Sequence, residues 1–99
     1  MKKIFIGIGS NLIAPKKQVV DAIKKINSID GINLISQSSL YETAPVGILN
    51  QPNFINAVIE VSFNGNPYKL LTYLLEVETI FGRVRKKKNG PRTLDLDIL

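Results

Sequence analysis

Phe54-Ile55-Asn56-Ala57-Val58-Ile59-Glu60-Val61-Ser62-Phe63 is the stretch that settles the architecture. Side chains alternate between the two faces of a strand, so Ile55, Ala57, Ile59, Val61 and Phe63 share one face. Phe54, Asn56, Val58, Glu60 and Ser62 share the other. The spacing predicts a β-strand with one wholly apolar side. Phe54 and Asn56 are then neighbours on the mixed face, where an aromatic plane beside an amide suits stacking and hydrogen bonding of a flat heterocycle. Plain packing of an aromatic at a strand start is the alternative.

Downstream, Asn64-Gly65-Asn66-Pro67 reads as a turn that opens a helix, with Asn66 as N-cap and Pro67 in the first helical position. Leu70, Leu71, Leu74, Val77 and Phe81 predict its apolar face, and Gly82 its stop. Glu76 and Glu78 are expected on its polar side, Glu78 one turn before a basic loop. The closing stretch is Gly90-Pro91-Arg92-Thr93-Leu94-Asp95-Leu96-Asp97-Ile98-Leu99. As a strand it turns Leu94, Leu96 and Ile98 to one face and Asp95 and Asp97 to the other, their Cα atoms about 7 Å apart. Two carboxylates on one face repel, so a cation is expected between them, either a hard divalent metal or Arg92. A solvated acidic edge strand is the alternative.

Upstream, residues 44–52 are too rich in Pro and Gly for regular structure and read as a loop. Asn33 to Thr43 is serine-rich but extended, supported by Leu34, Ile35, Leu40 and Tyr41. Before it, Val19, Ala22, Ile23 and Ile26 keep helical spacing behind Pro15, with Lys16, Lys17, Lys24 and Lys25 opposite and Gly31 as the stop. Ile4 to Gly9 predicts a short buried strand whose Gly7-x-Gly9 lets another backbone come close. Gly-x-Gly alone is a weak signal and lacks the rest of a dinucleotide fingerprint. The element order is therefore β-α-β-β-α-β. Two split β-α-β units imply a ferredoxin-like α+β sandwich, with helices on one face of a mainly antiparallel sheet.

Composition narrows the chemistry. Ninety-nine residues, 44% apolar and 21% charged, suit one small globular domain. No window reaches the roughly 18 consecutive apolar residues of a membrane helix, so a soluble, cytoplasmic protein is expected. With no Cys and no His, disulfides, thiolate and imidazole ligands, and a His base are excluded. Any metal is held by oxygen, which favours magnesium, manganese or calcium over zinc. The net charge is +5, and the excess is local: of 13 Lys and Arg, Arg83, Arg85, Lys86, Lys87, Lys88 and Arg92 share one stretch, with Lys69 on the helix before it. Such a cluster suits a phosphate pocket as well as a nucleic acid.

At residues 90–99 the chain resembles the 6-hydroxymethyl-7,8-dihydropterin pyrophosphokinase family of folate synthesis. The resemblance runs through Gly7-Ile8-Gly9-Ser10-Asn11-Leu12, Ser38 to Gly47, Gln51-Pro52-Asn53-Phe54-Ile55-Asn56-Ala57, and Glu78 through Arg85. It implies transfer of pyrophosphate from ATP to the hydroxymethyl group of the dihydropterin, leaving AMP. By the same resemblance Asp95 and Asp97 match ligands of two magnesium ions. Arg83 and Arg92 match the catalytic arginines on the moving diphosphoryl group, and Glu78, Arg85, Lys88 and Ile98 match positions at ATP. Phe54, Asn56, Thr43 and Val46 match the pterin pocket. Residues 1–99 are then expected to form one domain without the family's C-terminal segment. The expected partners are ATP and the pterin rather than nucleic acid or membrane, with oligomeric state open. The alternative is a small basic nucleic-acid-binding or inactive interaction module.

The composition agrees with that chemistry. Phosphoryl transfer asks a protein for positioning and charge neutralisation more than for proton transfer, so it does not require His or Cys. Guanidinium forks match phosphate oxygens two at a time, which a lysine at position 83 or 92 would not reproduce.

Overall fold

The structure, a computed structural model, describes residues 2–48, 50–82 and 93–99. Its elements run β1 (Lys2–Ser10), α1 (Pro15–Asn27), β2 (Ile32–Gln37), β3 (Tyr41–Thr43), β4 (Phe54–Phe63), α2 (Pro67–Ile80) and β5 (Asp95–Ile98). The strands make one five-stranded sheet in the order β2-β4-β1-β5, with β3 also on β4 and every pairing antiparallel. β4 is central because its ten residues are apolar on one face and uninterrupted by Pro or Gly. One of its edges is filled by β1 along the whole length, from Lys2 opposite Phe63 to Ser10 opposite Ile55.

β2 and β3 share the other edge of β4, at residues 59–63 and 54–56 respectively. The extended stretch expected over Asn33 to Thr43 is thus two strands. Ser38 bridges the break: its N–H donates to the Val58 carbonyl at 2.8 Å, and its Oγ accepts from the Val58 N–H at 2.8 Å. A hydroxyl has stood in for a ladder carbonyl, which is how a serine-rich segment stays on the sheet without regular pairing.

Both helices bury their apolar stripes in a single core. Val19, Ala22, Ile23 and Ile26 of α1 and Leu70, Leu74 and Val77 of α2 meet Ile6 and Ile8 of β1, Ile55 through Phe63 at odd positions of β4, and Leu94 and Leu96. The predicted α1 face is the observed one. Its end is not: α1 closes at Asn27 with Ser28 as cap, and Gly31, at φ 89°, makes the turn into β2 instead. At the other end, Ile13 and Ala14 both hold φ 53°, and the helix starts at Pro15 with no side-chain cap.

In α2 the Asn66 side chain accepts from the Tyr68 N–H at 2.8 Å, as its N-cap assignment requires, and Gly82 at φ 79° stops the helix. Two expectations for its faces fail. Leu71 lies outward, 45% exposed, because the stripe that meets the sheet runs through 70, 74 and 77. Glu78 is the larger correction. It continues that stripe and is 3% exposed, buried rather than polar-side.

Candidate functional site

The face of the sheet opposite the helices carries the mixed side of β4, and strand register decides what meets there. Asn56 lies opposite Gly9 on β1, and Gly9 lies opposite Asp95 on β5. One step along, Val58, Gly7 and Asp97 form a second row. Tyr41 of β3 extends the first row beyond Asn56. Since Gly7 and Gly9 stand on this face of β1, no β1 side chain rises between the amide–aromatic group of β4 and the carboxylates of β5. The result is an open trough of about 170 Å³ lined by Phe54, Asn56, Tyr41, Gly9, Asp95 and Asp97, among others. Its volume is below the roughly 300 Å³ of a typical ligand pocket, so these residues supply a floor rather than an enclosure.

Gly9 is in a tight place, where any side chain would press on Asn56. A Cβ there would stand 3.1 Å from Asn56 Oδ1 and 3.7 Å from the Phe54 ring. At Gly7 the same atom meets the Leu99 methyls at 3.6 and 3.7 Å and the Asp97 carbonyl oxygen at 3.9 Å, all in ordinary contact. The Asn56 amide is held in place by its strand neighbours: Nδ2 donates to Thr43 Oγ1 at 2.8 Å, and at longer range to the Phe54 carbonyl at 3.4 Å. Oδ1 is left over Gly9. Phe54 is half-buried beside it, with Thr43 paired to it across the strands.

Asp95 is half-buried and Asp97 exposed, both on the open face. Their chemistry suits a hard divalent cation. Among the described residues no third His, Cys, Asp or Glu joins them, so the other positions around an ion fall to water and phosphate oxygens. That is the donor set magnesium ordinarily takes at nucleotide sites, one or two carboxylates completed by substrate phosphates.

The trough is framed by two polar residues at the end of β1 that the residue patterns did not single out. Ser10 and Asn11 are 0% and 2% exposed. Ser10 Oγ donates to the Thr93 carbonyl at 2.6 Å, which fixes the entry to β5. Asn11 Nδ2 donates to Gln51 Oε1 at 2.8 Å and to the Pro52 carbonyl at 2.9 Å, which fixes the Pro-rich loop where it enters β4. Gln51 in turn donates to the Ile48 carbonyl at 2.7 Å. The available signal was a Ser-Asn pair ending an apolar strand, where buried polar side chains need backbone partners. Tyr41 was read only as a strand residue, because its place depends on register with a distant strand.

The remaining predicted residues divide as follows. Thr43 joins the trough through Asn56, whereas Val46 stands in solvent, 77% exposed, and does not line it. Ile98 lies at the sheet edge, 42% exposed, with its side chain on the helix side of β5. Glu78 faces away from the trough, and its Oε2 accepts from the Leu96 N–H at 2.8 Å. Arg83, Arg85, Lys88 and Arg92 lie outside the described residues.

Comparison with known proteins gives this arrangement a family. Residues 5–99 match the family model described as 7,8-dihydro-6-hydroxymethylpterin-pyrophosphokinase (HPPK). A 2-amino-4-hydroxy-6-hydroxymethyldihydropteridine pyrophosphokinase of Haemophilus influenzae is 42% identical over 96% of this chain and 59% of its own length. The protein of the same name from Pseudomonas aeruginosa is 38% identical over 100% of this chain and 61% of its own. A folic acid synthesis protein of Pneumocystis carinii is 43% identical over 97% of this chain and 13% of its own. The chain thus spans about three fifths of the two bacterial relatives. These names lend no support to the nucleic-acid-binding alternative. With its family model matched from residue 5 to residue 99, the chain belongs to the HPPK family.

Proposed function

We propose that the chain carries the pyrophosphokinase site, transferring pyrophosphate from ATP to the hydroxymethyl oxygen of 6-hydroxymethyl-7,8-dihydropterin. The observation that carries this reading is the row Asn56–Gly9–Asp95, which sets a heterocycle-binding pair and a carboxylate pair on one face with only glycine between. Phe54 stacks on the pterin ring and Asn56 reads its polar edge. Thr43 orients the Asn56 amide, whereas Val46, expected beside them, stands in solvent away from the trough.

Asp95 and Asp97 would hold magnesium, as two ions shared with the ATP phosphates. Bound there, magnesium neutralises phosphate charge and favours attack of the hydroxyl. The hydroxymethyl oxygen forms a bond to the β-phosphorus, the bridge from that phosphorus to the α-phosphate breaks, AMP leaves, and the hydroxyl proton passes to solvent. Arg83 and Arg92 are assigned to the diphosphoryl group in transit, and Arg85, Lys88 and Ile98 to the nucleotide. Glu78, expected among them, has its carboxylate on the β5 backbone instead.

The same reading treats residues 1–99 as one domain with a ferredoxin-like fold, β2 and β3 counting as two halves of one edge strand. Its substrates are small and water-soluble, in keeping with a cytoplasmic enzyme; no described helix is long and apolar enough to cross a membrane. The test is AMP release from ATP and magnesium, measured with and without the dihydropterin. Pterin-dependent AMP supports the reading. Failure of the folded chain to bind either a magnesium–ATP analogue or the pterin overturns it.

A further inference from the structure

We propose that Glu78 is a positioning residue for the Asp95–Asp97 pair, acting through the backbone of Leu96; the proposal rests on the functional reading above. β5 is only four residues long and ends the sheet order. Leu99 N donates to the Phe5 carbonyl at 2.9 Å, so the odd-numbered N–H groups of this segment point at β1. The Leu96 N–H therefore points off the sheet edge, toward α2. There it meets Glu78 Oε2 at 2.8 Å, in a bond buried at both ends.

The position is a costly one for an acid. Leu74 and Val77 before it are core residues, and an apolar side chain at 78 would extend the same stripe. A buried carboxylate is tolerated only when its oxygens are satisfied, and one of its oxygens here takes the Leu96 amide, which lies between the two site aspartates. With the Leu96 side chain in the core and its N–H tied to α2, the peptides on either side carry Asp95 and Asp97 at a fixed tilt on the opposite face. Releasing that amide lets a short edge strand twist and moves both carboxylates together. Glu78 itself is on the helix side and does not line the trough.

Three forms of the chain, unsubstituted, Glu78→Gln and Glu78→Leu, test this. Gln keeps an acceptor oxygen and Leu keeps bulk without one. Two readouts are taken, hydrogen exchange at the Leu96 amide by NMR and the magnesium concentration needed for half-maximal binding of a non-hydrolysable ATP analogue. In Glu78→Leu, exchange at Leu96 rises while the β4 amides keep their protection. The magnesium midpoint rises about 10-fold to 100-fold, the range for losing a group that orients a metal ligand. Glu78→Gln recovers the midpoint to within about threefold, since the neutral hydrogen bond is retained.

An unchanged midpoint in Glu78→Leu with faster Leu96 exchange overturns the proposal and leaves a structural bond only. Glu78→Gln with Leu96 still protected but the midpoint as poor as in Glu78→Leu overturns it in favour of direct contact with the metal or nucleotide. If Glu78→Leu does not fold, the Glu78→Gln arm decides on those same terms. If the unsubstituted chain shows no magnesium-dependent analogue binding, the functional reading fails and the positioning role with it, whereas protection at Leu96 reports separately whether the bond exists.

Discussion

Gly9 is where a single methyl group would reach both members of the amide–aromatic pair, with Asn56 Oδ1 and the Phe54 ring within 3.7 Å of the position a Cβ would take. Gly9→Val is expected to weaken pterin binding at least about tenfold, or about 1.4 kcal/mol, by titration calorimetry in the presence of a magnesium–ATP analogue. Gly7→Ala, whose Cβ would make ordinary van der Waals contacts alone, should change it much less. Equal losses for the two would remove the steric account. At the other side of the row, Asp95→Asn and Asp97→Asn each keep size and lose charge. Each is expected to lower pterin-dependent AMP release on the order of 100-fold or more, with loss of magnesium-dependent nucleotide binding. Alternation along one strand made the facing of Asp95, Asp97, Phe54 and Asn56 legible. Glu78 was misread because polarity was allowed to decide the face of a helix position whose spacing from Leu74 and Val77 pointed inward.

At the scale of elements, local chemistry was readable where it is self-contained. The Asn66-Pro67 start of α2 is such a case, since the cap bond to Tyr68 N–H spans two residues. Asn66→Ala should cost about 1 kcal/mol and lower the melting temperature by about 4–8 °C, followed by circular dichroism, without altering nucleotide binding. A drop in binding instead would show α2 to be coupled to the site through its start as well as its end. The split of the edge into β2 and β3 was not readable. It depends on Ser38 pairing with Val58, twenty residues away along the chain, and weak alternation gave no place for the break. The same holds for Gly31: it was recognised as a breaker, but whether it stops a helix or turns into a strand is decided by where β2 must start to pair with Phe63.

For the whole molecule the shared core and the order of elements, apart from the split of one expected strand into β2 and β3, followed from apolar periodicity, because each element's buried face is written in its own spacing. What that periodicity does not carry is register between strands, and register assembles the site. Ile59, 0% exposed at the middle of β4, should cost about 2–5 kcal/mol when cut to alanine, a large part of the stability of a domain this size. Leu71→Ala, at an outward position, should cost far less in the same urea titration, and comparable losses would contradict the observed core. The glycine-floored row has a metric consequence. β1 lies between β4 and β5, so Asn56 and Asp95 are two strand spacings apart, about 10 Å between Cα atoms. That interval is set by backbone hydrogen bonds, like the marks on a gauge. Substitutions on either side change how firmly an acceptor or a phosphate group is gripped, but the distance between the two grips changes only when the ladder itself is re-registered.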